Sequence, residues 1–591
     1  MKKIFSSSLL LLILTLAAYS QTTTPPEVDL MWGAKIPMRD GVKLNGTVYK
    51  PKTMPSPLPV IFTLTPYIGD SYHARADYFA KNGYVFVLVD VRGRGSSEGR
   101  FNPMEQEAKD GYDIVEWLAK QPFCNGKVTM WGGSYAGYDQ WATAKEVPPH
   151  LTTIVPAAAV YPGLDFPMRG NISYPYVMQW LTFTSGSTGN ANLFGESSFW
   201  NAKALDIYIN GLPFNTLDKV VGNDSTIFQT LVQHPHRDAF WDAMVPTEAE
   251  YAKMDIPILT ITGHYDADQP GAMEFFRRSE KYAAAEARDK HYLIIGPYDH
   301  PGTRTPNRDV GGLKFGEKSL LDMNKLHREW YDWTMKSGKK PEFLKKRVAY
   351  YVVGDGAEDW KYADSLNTIS NEKRVLYLDS KDGGAADVFH SGTMSMGATA
   401  KPAASGTDKY IYDPLDLRPA ELEKEDTPNY LNDESHALNL FGNGLVYHSE
   451  PFTEGTEISG FLKFSAWIAM DVPDTDFSVD VYEILPNGQS VYLTGDQMRA
   501  RYRESPYAEK LAKPGEINKY DFTGFTFFSR RVAKGSRLRL VFACPNSPST
   551  QKNYNSGGVV AAESKKDART AHITLYHDAE HPSSLELPIV K

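Results

Sequence analysis

Cysteine is nearly missing: Cys124 and Cys544 are the only two among 591 residues. That excludes a disulfide-stapled scaffold. With no Cys/His cluster in the chain, it also leaves no zinc signature. The two lie far apart, in stretches of different character, and a disulfide demands close geometry; two buried free thiols are expected. Positive charge is short as well, with 63 Lys and Arg against 72 Asp and Glu and a net charge of −9. No dense basic stripe appears, which argues against a nucleic-acid partner. The weak basic run from Lys339 to Arg347 reads as solvated surface. Beyond the first twenty residues no apolar run is long enough to cross a bilayer, and no internal repeat is present.

What is there begins with a targeting segment at residues 1–20. Lys2 and Lys3 precede an apolar run from Ile4 to Ala18, and Ala18-Tyr19-Ser20 fits a small-residue cleavage site before Gln21. No cysteine there suggests a lipid anchor. The expectation is an exported protein, periplasmic or secreted, with no membrane span in the mature chain. The hydrophobic share of 42% and charged share of 23% belong to an ordinary globular protein. The length calls for two or three domains.

Gln21 to Glu27 reads as a flexible lead-in. Val28 to Lys50 reads as a hairpin turning at Arg39-Asp40-Gly41. Short apolar runs at Val60–Leu64, Tyr84–Asp90, Val128–Trp131 and Thr153–Ala159 predict strands buried on both faces. The apolar spacing over Glu105–Lys120 predicts a helix. Such alternation implies a parallel sheet with helices on both sides. It breaks from Tyr161 to Tyr251, a stretch rich in aromatics, Gly, Asn and Ser, with a helical run at Ser198–Ile207; this reads as a cap insertion at 161–250. Strands return at Ile258–Thr262 and His291–Ile295, and a helix over Leu320–Met335 closes the first unit, assigned to 28–160 and 251–336. Ser337-Gly338-Lys339-Lys340-Pro341 reads as a linker. From 345 to 591 the pattern is all-β: strands are expected at Val348–Val353, Arg374–Leu378, Leu462–Met470, Phe477–Leu485, Leu538–Phe542 and His572–Tyr576. The fold class is therefore α/β, a parallel sheet with a helical cap, which the serine motif and the resemblance described below identify with the α/β-hydrolase domain, followed by a jelly-roll-like sandwich. Gly397–Thr407 reads as a loop.

The chain's most informative stretch is Val128 to Gly137. A strand runs into Gly132-Gly133-Ser134-Tyr135-Ala136-Gly137, and a helix follows from Tyr138 to Glu146. This is the pattern of a nucleophile elbow, a strand-to-helix turn that holds a serine at its apex. The positions two before and two after the serine must be small. Ala136 departs from the usual glycine, and Gly137 supplies further room. A serine hydroxyl needs a base to take its proton and an acid to orient that base. The acid candidate is Asp266, which follows Ile258–Thr262 through Gly263-His264-Tyr265. The base candidate is His300, which follows Tyr292–Ile295 through Gly296-Pro297-Tyr298-Asp299. Both come from loops at strand carboxyl ends, where such sheets collect their sites. His264 is a rival base in the wrong chain order, Asp268 a rival acid, and Asp299 an exposed loop carboxylate. The backbone N–H of Tyr135 is an oxyanion donor by position, and the Tyr67 hydroxyl, after Thr65-Pro66, is a candidate second donor.

These residues resemble the CocE/NonD hydrolases, a family that includes cocaine esterase, X-Pro dipeptidyl-peptidases and α-amino-acid ester hydrolases. The resemblance runs from Ile36-Pro37-Met38-Arg39-Asp40-Gly41-Val42 to the C-terminus. It includes Asp90-Val91-Arg92-Gly93-Arg94-Gly95, Gly133-Ser134-Tyr135, Tyr265-Asp266 and Gly296 to His300. It implies a Ser134–Asp266–His300 triad, Tyr67 as oxyanion donor, no cofactor, and a small ester, amide or short peptide as substrate. The α-amino-acid ester hydrolases look similar around Gly163-Leu164-Asp165 and Asp266-Ala267-Asp268-Gln269. That likeness implies that Asp165 and Asp268 meet a substrate ammonium group, with Gln269 standing where the group has a third acid. A homo-oligomer is compatible with the sequence. The expected activity is that of a serine esterase or acylase. The alternatives are an X-Pro dipeptidyl-peptidase and, from another class, a catalytically silent binder of carbohydrate or a partner through its β domain.

Overall fold

The computed structural model describes residues 27–591 apart from 382, 388–389, 397–405, 424–427, 434 and 436. The leader read at residues 1–20 lies outside the described residues. So do most of the Gln21–Glu27 lead-in and most of the Gly397–Thr407 loop. Two large sheets carry the chain. The first has ten strands in the spatial order Val28–Pro37, Lys43–Pro51, Val85–Asp90, Leu58–Thr65, Cys124–Ser134, Leu151–Ala159, Ile258–Tyr265, His291–Asp299, Val348–Val352 and Asp359–Ala363. The hairpin at the start is antiparallel, and the six central strands are parallel to one another. Val85–Asp90 is buried at every position, as an apolar strand covered on both faces must be. Helices Glu107–Ala119 and Tyr135–Lys145 pack against Cys124–Ser134, and Met323–Lys336 lies over Leu151–Ala159.

Between Leu151–Ala159 and Ile258–Tyr265 the chain leaves the sheet and forms short helices, among them Tyr176–Phe183, Ser197–Asn210 and Thr226–Val232. Trp180, Phe214, Phe228 and Trp241 pack into the main core, so the aromatic richness of this insertion anchors it to the sheet.

The second sheet has thirteen strands, pairing antiparallel except for Gly392–Met396 against Gly444–Ser449. Its core is a separate apolar cluster that includes Phe464, Phe477, Phe522 and Phe542. One strand departs from expectation. Val348–Val352, read as the first strand of the β region, instead pairs in parallel with His291–Asp299 and extends the first sheet. Its Val-Ala-Tyr-Tyr-Val run is buried throughout. Such a run specifies a strand covered on both faces but not which sheet receives it. The next residue, Val353, exchanges backbone hydrogen bonds with Ser529 and Arg531 and so joins the two sheets. Cys124 and Cys544 are free and buried; Cys124 opens a strand of the first sheet, and Cys544 follows the strand Arg537–Ala543 of the second. No helix among the described residues is long and apolar enough to cross a membrane.

Candidate active site

Ser134 ends the strand Cys124–Ser134, and the helix Tyr135–Lys145 begins at the next residue. Its backbone sits at φ 62° and ψ −126°, a region that non-glycine residues seldom occupy. The small neighbours follow from crowding. A Cβ on Gly132 would lie 2.5 Å from the Cβ of Ala136, and one on Gly137 would lie 2.6 Å from the carbonyl oxygen of Ala157. Ala136 is tolerated because Gly132 faces it. A Cβ on Gly133 would strike the guanidinium of Arg304, which fills the space beneath the turn.

His300 follows the strand His291–Asp299. Its Nδ1 donates to Oδ1 of Asp266 at 2.8 Å. That bond commits the proton to Nδ1 and leaves Nε2 with a lone pair. Asp266 is 2% exposed; its Oδ2 accepts from the Thr262 hydroxyl at 2.9 Å, and its Oδ1 also accepts from the Asp268 amide at 3.1 Å. The acid is thus fixed before it meets the ring. A second carboxylate, Asp268, brings Oδ2 to 3.6 Å from the same Nδ1. Burial alone would lower the His300 pKa, but the charges of Asp268 and Asp266 outweigh it and hold the group above its ordinary value. Asp268 is itself raised, chiefly because it is buried.

Ser134, His300, Tyr67, Tyr135 and Asp268 line one cavity of about 190 Å³, with Phe166, Tyr176 and Trp180 of the cap closing it. Trp180 Nε1 donates to the Tyr67 hydroxyl at 3.0 Å. An indole can only donate, so the Tyr67 oxygen accepts and its own proton is free to point elsewhere. The Tyr67 hydroxyl also meets the side chain of Ser134, and burial raises its pKa, so it stays protonated. Tyr135 opens its helix, so its backbone N–H has no intrahelical acceptor. Its side chain is held in place: the phenol donates to Glu107, accepts from the Met104 amide at 2.7 Å, and stacks on Trp180.

The sequence candidates therefore separate. Ser134, His300, Tyr67, Tyr135 and Asp268 meet at one cavity, and Asp266 stands directly behind His300. Asp165 does not line that cavity. Its two oxygens accept backbone amides, Tyr161 at 2.8 Å and Gly271 at 2.6 Å, and the side chain is buried beneath the loop. Direct contact with a substrate ammonium, expected of Asp165 and Asp268 together, is open to Asp268 alone. The rival base His264 is buried with neither ring nitrogen paired, and burial pushes its pKa down to about 3. Asp299 caps a turn through the Gly302 amide. Sequence reasoning missed the cap aromatics, whose spacing carries no signal of the cavity they share.

It also missed the role of Gln269. The buried amide of Gln269 donates to the carbonyls of Gly263 at 2.8 Å and Phe527 at 2.9 Å and accepts the Phe527 amide at 2.6 Å. It ties the Asp266–Gln269 loop to the β region. Where the resembling group has a third acid, this chain has a neutral clamp.

No group of His, Cys, Asp and Glu able to hold a metal occurs among the described residues. Residues 40–302 match the X-Pro dipeptidyl-peptidase (S15 family), and residues 342–586 match the X-Pro dipeptidyl-peptidase C-terminal non-catalytic domain. A cocaine esterase of Rhodococcus sp. is 26% identical, covering 94% of this chain and 98% of its own. A putative serine esterase of Mycobacterium bovis is 23% identical over 94% of this chain and 95% of its own. Among solved structures, an α-amino acid ester hydrolase superposes with a TM-score of 0.81 at 20% identity, covering 99% of this chain and 100% of its own. An aminopeptidase from a marine sediment archaeon, Thaumarchaeota archaeon, gives 0.80 at 22%, covering 96% and 97%.

Proposed function

We propose, for a chain that belongs to the CocE/NonD family of hydrolases, that it is an exported serine hydrolase acting on ester or amide bonds through Ser134. His300 Nε2 takes the serine proton as Ser134 Oγ attacks the carbonyl carbon. Asp266 orients the ring and stabilises its positive charge. The Tyr135 amide and the Tyr67 hydroxyl receive the developing oxyanion. His300 then returns the proton to the leaving alcohol or amine, an acyl-enzyme forms on Ser134, and water activated by the same imidazole releases the acid. One observation carries the reading: a strained serine and an imidazole whose Nδ1 is committed to a buried carboxylate line one cavity.

The cavity supports a compact, aromatic-compatible acyl group, since Tyr67, Phe166, Tyr176 and Trp180 all contribute to its wall. Asp268 is a half-buried carboxylate at that wall, which favours an acyl group bearing a cation. An X-Pro dipeptidyl-peptidase activity is the second reading, favoured by the family that residues 40–302 match. Export rests on the leader at residues 1–20, and a mature N-terminus at Gln21 by mass spectrometry tests it.

A fluorophosphonate probe tests the chemistry. Labelling of wild type that is absent in Ser134→Ala is expected; a wild type that takes no label favours a silent binding protein. Rates on a phenylglycine ester, a plain aryl ester and a Gly-Pro anilide separate the substrate readings, and indifference to the α-amino group removes the role of Asp268.

A further inference from the structure

Away from the catalytic cavity, the cap and the β region enclose a second cavity of about 300 Å³, lined in part by Arg169, Arg237 and Arg503. Its guanidinium groups are unequally used. Arg169 is committed, with Nη2 donating to the Gly495 carbonyl at 2.7 Å. Arg237 is 9% exposed, and its Nε has no hydrogen-bond partner. Its other nitrogens come no nearer than 3.6 Å to Asp242 and 3.9 Å to Glu274. The Arg237 guanidinium carbon lies over the rings of Tyr161 at 5.3 Å and Tyr507 at 5.0 Å, two cation–π contacts that restrain the group. Arg503 has a side chain only 2% exposed; its Nη1 donates to the Ala500 and Lys510 carbonyls at 3.3 and 2.5 Å, its Nε is unpaired, and its nearest carboxylate, Glu504 at 3.7 Å, is taken by Lys510 at 2.6 Å.

The acids in the same lining have hydrogen-bond partners of their own. Asp496 accepts the Gly524 and Gln497 amides at 2.7 and 2.8 Å, and Asp521 accepts Ser465 and Lys519. Arg237 is left as the lining charge that lacks a close partner: its Nε is unpaired and its nearest carboxylate is 3.6 Å away. Burying the Arg237 guanidinium with an unpaired Nε and no close counter-ion is costly. A planar guanidinium fork restrained by two rings suits a planar, two-oxygen acceptor. Leu164, Met498 and Pro506 give the remaining wall an apolar surface for an organic body.

We propose that this interdomain cavity is a binding site for a small organic carboxylate, held by the edge of Arg237 with Arg503 as second donor. Gly163 and Leu164 precede Asp165, and Pro270 lies in the first turn of the helix Gln269–Tyr282 that follows Asp268, so an occupant would brace the wall between the two cavities.

Benzoate titration by calorimetry on full-length Ser134→Ala protein, at constant ionic strength, is the test; the catalytic serine plays no part in it. We expect one saturable site, weakened at least tenfold in both Arg237→Gln and Arg503→Gln. Using two variants keeps the test meaningful if one fails to fold. Blocking Ser134 in the wild type with a fluorophosphonate should leave benzoate binding unchanged. The proposal is overturned by absence of saturable binding, by affinity unchanged in whichever Arg variant folds, by loss of binding in the blocked enzyme, or by binding of inorganic phosphate without benzoate.

Discussion

Gln269 offers the sharpest test of how the β region supports the catalytic loop. Gln269→Ala removes three hydrogen bonds, to Gly263, to the Phe527 carbonyl and from the Phe527 amide. It leaves the Phe527 amide and carbonyl unpaired, at about 1–3 kcal/mol each, while the Gly263 carbonyl keeps the Asp266 amide at 3.4 Å. The expected loss is roughly 3–5 kcal/mol after partial relaxation. Gln269→Glu is the more discriminating variant, since it keeps the size and restores an acid. A carboxylate can still accept the Phe527 amide but cannot donate to two carbonyls, so it will hold its proton. Its folded-state pKa then lies above its unfolded value. The folded state binds the extra proton, so the variant comes close to wild type at low pH. Stability falls as pH rises above the unfolded Glu value, by about 1.4 kcal/mol per pH unit until the folded pKa is reached. Thermal unfolding of wild type and both variants between pH 5 and 8, with kcat measured in parallel, reads this directly. A Gln269→Ala variant as stable as wild type, or a Gln269→Glu variant whose deficit is flat with pH, would refute the clamp.

Three further outcomes follow from the site. Tyr67→Phe should lower kcat by roughly 10²-fold while KM and fluorophosphonate labelling change little, because one oxyanion donor is removed and the serine is not; unchanged kcat would remove Tyr67 from the mechanism. Asp268→Asn should move the acidic limb of kcat/KM on a neutral ester to lower pH, since the Asp268 charge helps hold His300 above its ordinary value; a limb that stays or moves up contradicts that coupling. His264, His291 and His327 are each pushed down to about 3 by burial, so the unfolded chain takes up more protons than the folded one below about pH 6.5. Stability should therefore fall as pH drops from that value towards 3. His264→Leu should retain activity and fall less steeply, and a parallel decline would show that His264 is charged when folded.

Much of this was written into local sequence. The elbow is legible because a serine at positive φ needs small residues at fixed offsets, and Gly132, Gly133 and Gly137 stand where a Cβ would collide. Asp266 and His300 are legible because each follows an apolar strand and a glycine, which places them at the same edge of a parallel sheet. Short-range sterics and strand periodicity act within a few residues, and a chain carries such constraints openly. What the tertiary structure decided involves partners far apart in sequence. Gln269 meets Phe527 across 258 positions, the Val348–Val352 run chooses the first sheet over the second, and Asp165 spends its carboxylate on Gly271 instead of the cavity. Hydrogen-bond satisfaction in a buried, low-dielectric interior settles these cases, and it depends on which groups the fold brings within three ångströms, which residue order alone does not specify.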